Sequence, residues 1–348
     1  MFKTREYHHR NSFFPLVLFR VVLSLAMFLI LGLVAYQAFR YFSGATLDAD
    51  ILKTDPRKII DEIKASDKSP EAIMAILGLK TSQGAEEQSV REEKSSSLQR
   101  PTPVPSGKRI LRFALVADSH NDSQRLTQAL KMAEDQEAKF VIGLGDYSDT
   151  GTLAELQKAK EVFEASGLPY YTTAGDHDLW DARDKGLSAS ARFTEVFGSP
   201  YESFVDSNIR FIILYNSDNY LGVDALQRKW LDGTLSEAQK EGQKPIFVLM
   251  HEALSHPSSD RVMGKGNSEI TSQAQELVKL LKDLGVSEAF SGDIHAFTRY
   301  RDKETGLNMT TVGAVTEQRN LSLPRFALVD VYEGGGYNIQ DVEIKSEP

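Results

Sequence analysis

The chain has 348 residues, a formal net charge of -9 and no cysteine. That acidic balance excludes a general nucleic-acid binder, which needs a basic surface against the phosphate backbone, although metal ions can still supply positive charge locally for a phosphorylated substrate. The lack of cysteine excludes disulfides and thiolate metal sites.

Residues 1–20 form a short basic tail, and residues 21–42 carry the most apolar run of the chain. Val21 to Phe39, about 19 residues, would rise about 28 Å as a helix, the hydrocarbon thickness of a bilayer, so the run predicts a single transmembrane helix. A cleaved signal peptide and a buried core helix are the alternatives. Ser43-Gly44-Ala45 offers small residues for cleavage, but the run exceeds the usual signal core of about 7 to 15 residues and Phe13 to Phe19 extends it. Lys3, Arg5, Arg10 and Arg20 before the run are nearly balanced by Arg40, Lys53, Arg57 and Lys58 after it. The expected orientation, with the C-terminal domain extracytoplasmic, rests on the short tail being the easier end to retain.

Residues 43–107 read as a connector. Pro56 to Ala65 and Pro70 to Lys80 predict short amphipathic helices, and Thr81 to Lys108, rich in Glu, Gln, Ser and Pro, predicts a mobile tether. The remaining residues, 108–348, predict one α/β domain. Ile110 to Ala117, Phe140 to Leu144 and Tyr170 to Thr173 read as buried strands, separated by helices over Ser123 to Ala138 and Leu153 to Ser166. This β-α-β-α-β order implies a largely parallel sheet, whose functional groups collect beyond the carboxyl ends of the strands. Farther on, strands are expected over Phe211 to Tyr215, Ile246 to Met250 and Ala289 to Ser291, with helices over Ala225 to Lys240 and Thr271 to Leu284. Phe297 to Ile344, with Gly334-Gly335-Gly336 as a turn, predicts antiparallel strands in a second sheet.

Five segments at these strand ends carry metal-binding residue types: Asp118-Ser119-His120, Gly145-Asp146, Gly175-Asp176-His177-Asp178, His251 and Gly292-Asp293-Ile294-His295. Apart from His8 and His9 in the tail, every histidine but His256 falls on one of them. Taken singly, Asp-x-His reads as a loop or cap, Gly-Asp as a turn and His251 as a core residue. Their conjunction at successive strand ends points instead to hard cations held by oxygen and imidazole donors. Asn121-Asp122-Ser123 reads as a glycosylation sequon beside His120. A glycan there would obstruct the site, which argues against a glycosylating secretory pathway and for a prokaryotic source.

In order and spacing these segments resemble the calcineurin-like metallophosphoesterases, whose pattern runs Asp-x-His, Gly-Asp, Gly-Asn-His-Asp/Glu, a lone His and Gly-His-x-His. The resemblance covers roughly 109–344 and implies a four-layer α/β/β/α sandwich that hydrolyses a phosphomonoester or phosphodiester by attack of a hydroxide bridging two metal ions. It implies that Asp118, His120 and His295 bind the first ion, that Asp146 bridges, and that Asp176, His251 and Asp293 complete the second. It further implies that His177 protonates the leaving oxygen or stabilises the phosphoryl oxygens, with Asp178 orienting its ring.

Two positions depart from the pattern: Asp176 replaces Asn, and Asp293 replaces the first His of Gly-His-x-His. Both changes fall on the second ion and make the site richer in anionic oxygen, so Mn or Fe is expected, with Zn or Mg possible. An alternative of a different class is a catalytically weak domain of this kind that binds a phosphorylated ligand or a protein partner. No obligate protein partner is evident. Arg261, Lys265, Arg299, Arg301 and Trp180 are candidate substrate contacts, each with an ordinary reading as surface charge or core cover.

Overall fold

The structure, a computed structural model, describes residues 46–47, 79–80, 105, 107–318, 320 and 322–345. The expected transmembrane helix at 21–42, the helix at 56–65 and most of the tether lie outside the described residues. Among the described residues no helix is long and apolar enough to cross a membrane. The chain divides into two compact units, 1–101 and 102–348. In the first, β1 (Thr46–Leu47) pairs antiparallel with β2 (Leu79–Lys80), so the last two residues of the expected 70–80 helix are extended.

The second unit is a mixed α/β fold with two mixed sheets. One is built from β3 (Arg109–Val116), β4 (Val141–Gly143), β5 (Tyr170–Thr172), β12 (Arg325–Tyr332) and β13 (Tyr337–Glu343), in the order β13-β12-β3-β4-β5. The other comprises β6 (Glu202–Asp206), β7 (Ile209–Ile213), β8 (Ile246–Leu249), β9 (Glu288–Ser291), β10 (Thr298–Arg301) and β11 (Asn308–Thr311), in the order β10-β11-β9-β8-β7-β6. As the β-α-β-α-β pattern predicts, β3, β4 and β5 are parallel, and so are β7, β8 and β9.

The strands after Phe297 are divided rather than confined to a second sheet. β10 and β11 extend the β9 edge, whereas β12 and β13 cross to the other sheet and pair antiparallel with β3 and each other.

Strand alternation builds the layers. Leu111, Phe113 and Leu115 of β3 join Phe211 and Ile213 of β7, Phe247 and Phe290 in one core between the sheets. There Phe113 meets Phe211 edge-on at 5.1 Å. The intervening Ala114 and Val116 face helices α1 (Ser123–Asp135) and α2 (Leu153–Ala165), through Leu126, Leu130, Leu156 and Phe163. On the far side Ile212 and Val248 face helices α5 (Ala225–Lys240) and α6 (Ser268–Asp283) through Leu231, Leu235, Leu277 and Leu281. Two short helices, α3 (Trp180–Asp184) and α4 (Ala191–Phe197), follow β5. The layer order is therefore helix, sheet, sheet, helix, and parallel strands from both sheets end at a common edge.

Candidate metal centre

At that edge β3 runs into Asp118 and His120, β4 into Asp146, β5 into Asp176 and His177, β8 into His251 and β9 into Asp293 and His295. Backbone hydrogen bonds lace these ends together. The Asp118 N–H donates to the Gly145 carbonyl at 3.0 Å, the His120 N–H to the Asp146 carbonyl at 3.0 Å, and the Gly292 N–H to the His251 carbonyl at 2.9 Å.

The turns are sharp. Asp118, His120, Asp146, Asp293 and His295 have φ values of 55°, 41°, 55°, 60° and 59°. That left-handed region costs a non-glycine residue on the order of 1 kcal/mol, and its repetition at five donor positions marks a site whose geometry outranks local comfort. Close packing also requires glycine at two points. A Cβ at Gly145 would meet the Gly175 backbone and the His251 ring, and one at Gly175 would meet the Asp146 carboxylate.

Among the described residues the donors gather as four overlapping groups, two of which run through Asp146: His120, Asp146 and His177, and Asp118, Asp146 and His251. Potential ligand atoms of Asp118, His120 and His295 lie within 4.8 Å of one another, and so do those of Asp176, His251 and Asp293. In the first group His120 Nε2 is 3.4 Å from His295 Nε2, and His295 Nε2 is 3.7 Å from Asp118 Oδ1. In the second, His251 Nε2 is 3.5 Å from Asp176 Oδ1. Asp146 stands between them, with Oδ2 3.6 Å from His120 Nε2 and Oδ1 3.5 Å from His251 Nε2.

Several of these atoms fit cations better than hydrogen bonds. Asp118 Oδ2, Asp146 Oδ2 and His251 Nε2 are buried without a hydrogen-bond partner, an arrangement that is costly unless a positive ion completes it. The His251 Nδ1–H donates to the Leu144 carbonyl at 2.7 Å, which turns Nε2 toward the cluster, as imidazole ligands require.

Titration follows the same logic. Burial raises the Asp118 carboxyl and raises that of Asp146 well above its usual range. Burial pulls His251 down, but Asp146 and Asp176 overcome it and hold the imidazole well above its usual value. At Asp176 burial raises the carboxyl, yet the His251 contact outweighs it and brings the group to about 2. Burial thus disfavours the charged forms of Asp118 and Asp146, and a nearby positive charge offsets that cost.

His177 is buried beside the cluster, its N–H donating to Asp146 Oδ1 at 3.0 Å and its ring stacked on Trp180 at 3.9 Å. The expected orienting role of Asp178 is corrected by the hydrogen bonds. Asp178 accepts from the Ser148 N–H and hydroxyl at 3.1 and 2.7 Å and from the Gly175 N–H at 3.0 Å. The His177 ring is held instead by the Asp149 carbonyl, 2.8 Å from Nδ1. The 3-10 turn His177–Leu179 tucks the Asp178 carboxylate under the β4 turn, so it braces the loops and not the ring.

Sequence reasoning passed over Asp149, Asn121 and Glu252. Asn121 donates to Asp149 Oδ2 at 3.0 Å and to Glu155 Oε1 at 2.8 Å, which fixes the turn carrying His120 to the start of α2. Glu252 is buried beside His251, and burial pushes its carboxyl up to about 8. Adjacency to a predicted ligand was the sequence signal for Glu252, and Asn121 was read only as part of a sequon. Among the candidate substrate contacts, Lys265 pairs with Asp260 at 2.9 Å and Arg299 lies 3.6 Å from buried Glu288, whereas Arg261 reaches Asp293 at 2.9 Å.

A purple acid phosphatase from yellow lupin (Lupinus luteus) seeds has a similar fold, with a TM-score of 0.50 and 14% identity over 67% of this chain and 51% of that one. The chain thus spans about half the length of that phosphatase. GAP50, the anchor in the inner membrane complex of Plasmodium, matches with a TM-score of 0.49 and 18% identity over 68% of this chain and 86% of that one. An archaeal phosphodiesterase matches with a TM-score of 0.38 and 13% identity over 67% and 100%. No curated protein sequence matches the chain. The family model for calcineurin-like phosphoesterases matches residues 111–297, more than half of the chain and all five donor segments, and the chain belongs to that family.

Proposed function

We propose that the domain hydrolyses a phosphomonoester or phosphodiester with two metal ions, Asp118, His120 and His295 holding one, Asp176, His251 and Asp293 the other, and Asp146 shared. The observation that carries this reading is the placement of Asp146, whose two oxygens face His120 and His251, one from each group. Two such ions, when bound, neutralise phosphoryl charge and make a coordinated water acidic near neutral pH.

The remaining residues supply position and a proton. Because the Asp149 carbonyl can only accept, His177 Nδ1 carries hydrogen, and the proton that the ring gains or loses is on Nε2. An imidazolium at that place donates Nε2–H to a leaving oxygen, and the ring stacked on Trp180 cannot swing away freely. The oxygen-rich donor set suits Mn or Fe ahead of Zn or Mg. We further propose that the segment 21–42 anchors the chain in a membrane with the domain on the extracytoplasmic side.

The test is turnover of chromogenic phosphomonoesters and phosphodiesters by the full chain with Mn, Fe, Zn or Mg, alongside its recovery in membrane fractions after alkaline extraction. Hydrolysis that needs added metal is expected. Bound metal without turnover of either ester class would favour the second reading, a domain that binds a phosphorylated ligand or a partner. The departures from the family pattern at Asp176 and Asp293 are the observation on the side of that reading.

A further inference from the structure

Four carboxylates, Asp118, Asp146, Asp176 and Asp293, converge on a site for two ions. Two divalent ions would only balance them, leaving no net positive charge to draw in a phosphate. The family pattern, with Asn and His in place of Asp176 and Asp293, would leave an excess of two positive charges. A further cation beside the site would strengthen its attraction for a phosphoester.

Arg261 has the right place and shape. Its Nη2 lies 2.9 Å from Asp293 Oδ1. Asp293 is its one ion-pair partner among the described residues, and the side chain is 44% exposed. One nitrogen of a fork with five N–H donors is thus placed on Asp293 in a side chain that is partly open to solvent. The loop behind it is built rather than loose. Met263 N–H donates to the Ala253 carbonyl at 2.8 Å, Ser259 N–H to His256 Nδ1 at 2.9 Å, and Arg261 N–H to Ser259 Oγ at 3.1 Å.

We propose that Arg261 is a substrate-binding residue that grips a phosphoryl oxygen beside the second ion, and that Asp293 has a double duty, one oxygen positioning Arg261 and the other serving the ion. The substitution of Asp for His in the last motif is then coupled to the arginine and adds no net anion to the site. A guanidinium suits this task because it meets two oxygens at once. This inference rests on the phosphoesterase reading above.

The test is binding of inorganic phosphate to the manganese-loaded full chain by calorimetry, with manganese content and steady-state kinetics measured on the same samples. Arg261→Ala is expected to keep its manganese, weaken phosphate roughly 10- to 100-fold, the range for a hydrogen bond to a charged group, and raise KM more than it lowers kcat. Arg261→Lys should recover only part of the affinity. Lys279→Ala, which removes an equal charge paired with Asp283 on α6, should leave phosphate binding unchanged. Equal phosphate affinity in Arg261→Ala and wild type, with the wild type active, overturns this proposal alone. Loss of phosphate affinity only in step with lost manganese also overturns it, since Arg261 would then act on the ion. A wild type that binds manganese yet hydrolyses no ester overturns the phosphoesterase reading and the catalytic part of this one with it.

Discussion

Two groups of donors in the candidate metal centre, Asp118, His120 and His295 against Asp176, His251 and Asp293, are built differently. Asp118, His120 and His295 are all buried on strand-end turns with left-handed backbone, so the first half is set before any ion arrives. In the second, Asp176 keeps 22% of its side chain exposed and Asp293 is engaged by an arginine from a surface loop. On the proposed reading, the closed group would fix one ion, and the more anionic group, opened at Asp176 although His251 and Asp293 are buried, would set the identity of its neighbour and receive the substrate.

The largest expected effect breaks the contrast altogether. Asp146→Asn removes charge from the one carboxylate shared by both halves, so both ions should be lost and activity should fall to background; metal analysis of the purified variant checks it. His177→Ala should spare both ions and lower turnover by roughly 10²- to 10⁴-fold, the usual scale for a general acid. Equal metal content beside lost turnover would separate the proton donor from the ligands.

A smaller effect sharpens the comparison. Asp176→Asn with Asp293→His restores the family pattern in the second half only and should shift the metal preference from Mn or Fe towards Zn. The two single changes should be non-additive, because they share an ion and because Asp293→His also releases Arg261. Activity profiles across metals for the wild type, singles and double decide it, and additive effects would place one aspartate outside the coordination shell.

The smallest effect is a proton count. Folded-state values for Asp118, Asp146 and His251 are raised, so without metal these groups stabilise the fold below their unfolded values and that contribution is lost as pH rises through the raised ones. Metal binding should therefore release protons, and metal should stabilise the fold more as pH rises. Calorimetry in buffers of different ionisation enthalpy measures the release.

Much of this was legible from residues. The amphipathic run of α5 was read with the limits observed, Ala225 and Lys240, and the structure adds the Asp224 carboxylate accepting from the Gln227 N–H at its start. Apolar runs ending in Asp or His placed the donors, since a buried parallel strand can end only at an edge. What local pattern could not carry was long-range pairing. β12 alternates like any strand, and nothing in its sequence says that it returns to β3 and not to β11. β6 and α4 were missed because five exposed or half-buried residues and seven helical ones hold too little period. Asp178 misled for a related reason: its neighbour in sequence is His177, but the 3-10 turn sends its carboxylate to Ser148 and Gly175.

The shared role of Asp146 is the centre of the account, and anomalous diffraction from crystals of the manganese-loaded protein tests it most directly. Two peaks about 3.5 to 4 Å apart, one on each side of the Asp146 carboxylate, are expected, the first beside Asp118, His120 and His295 and the second beside Asp176, His251 and Asp293. A single peak, or two peaks that do not share Asp146, would contradict it.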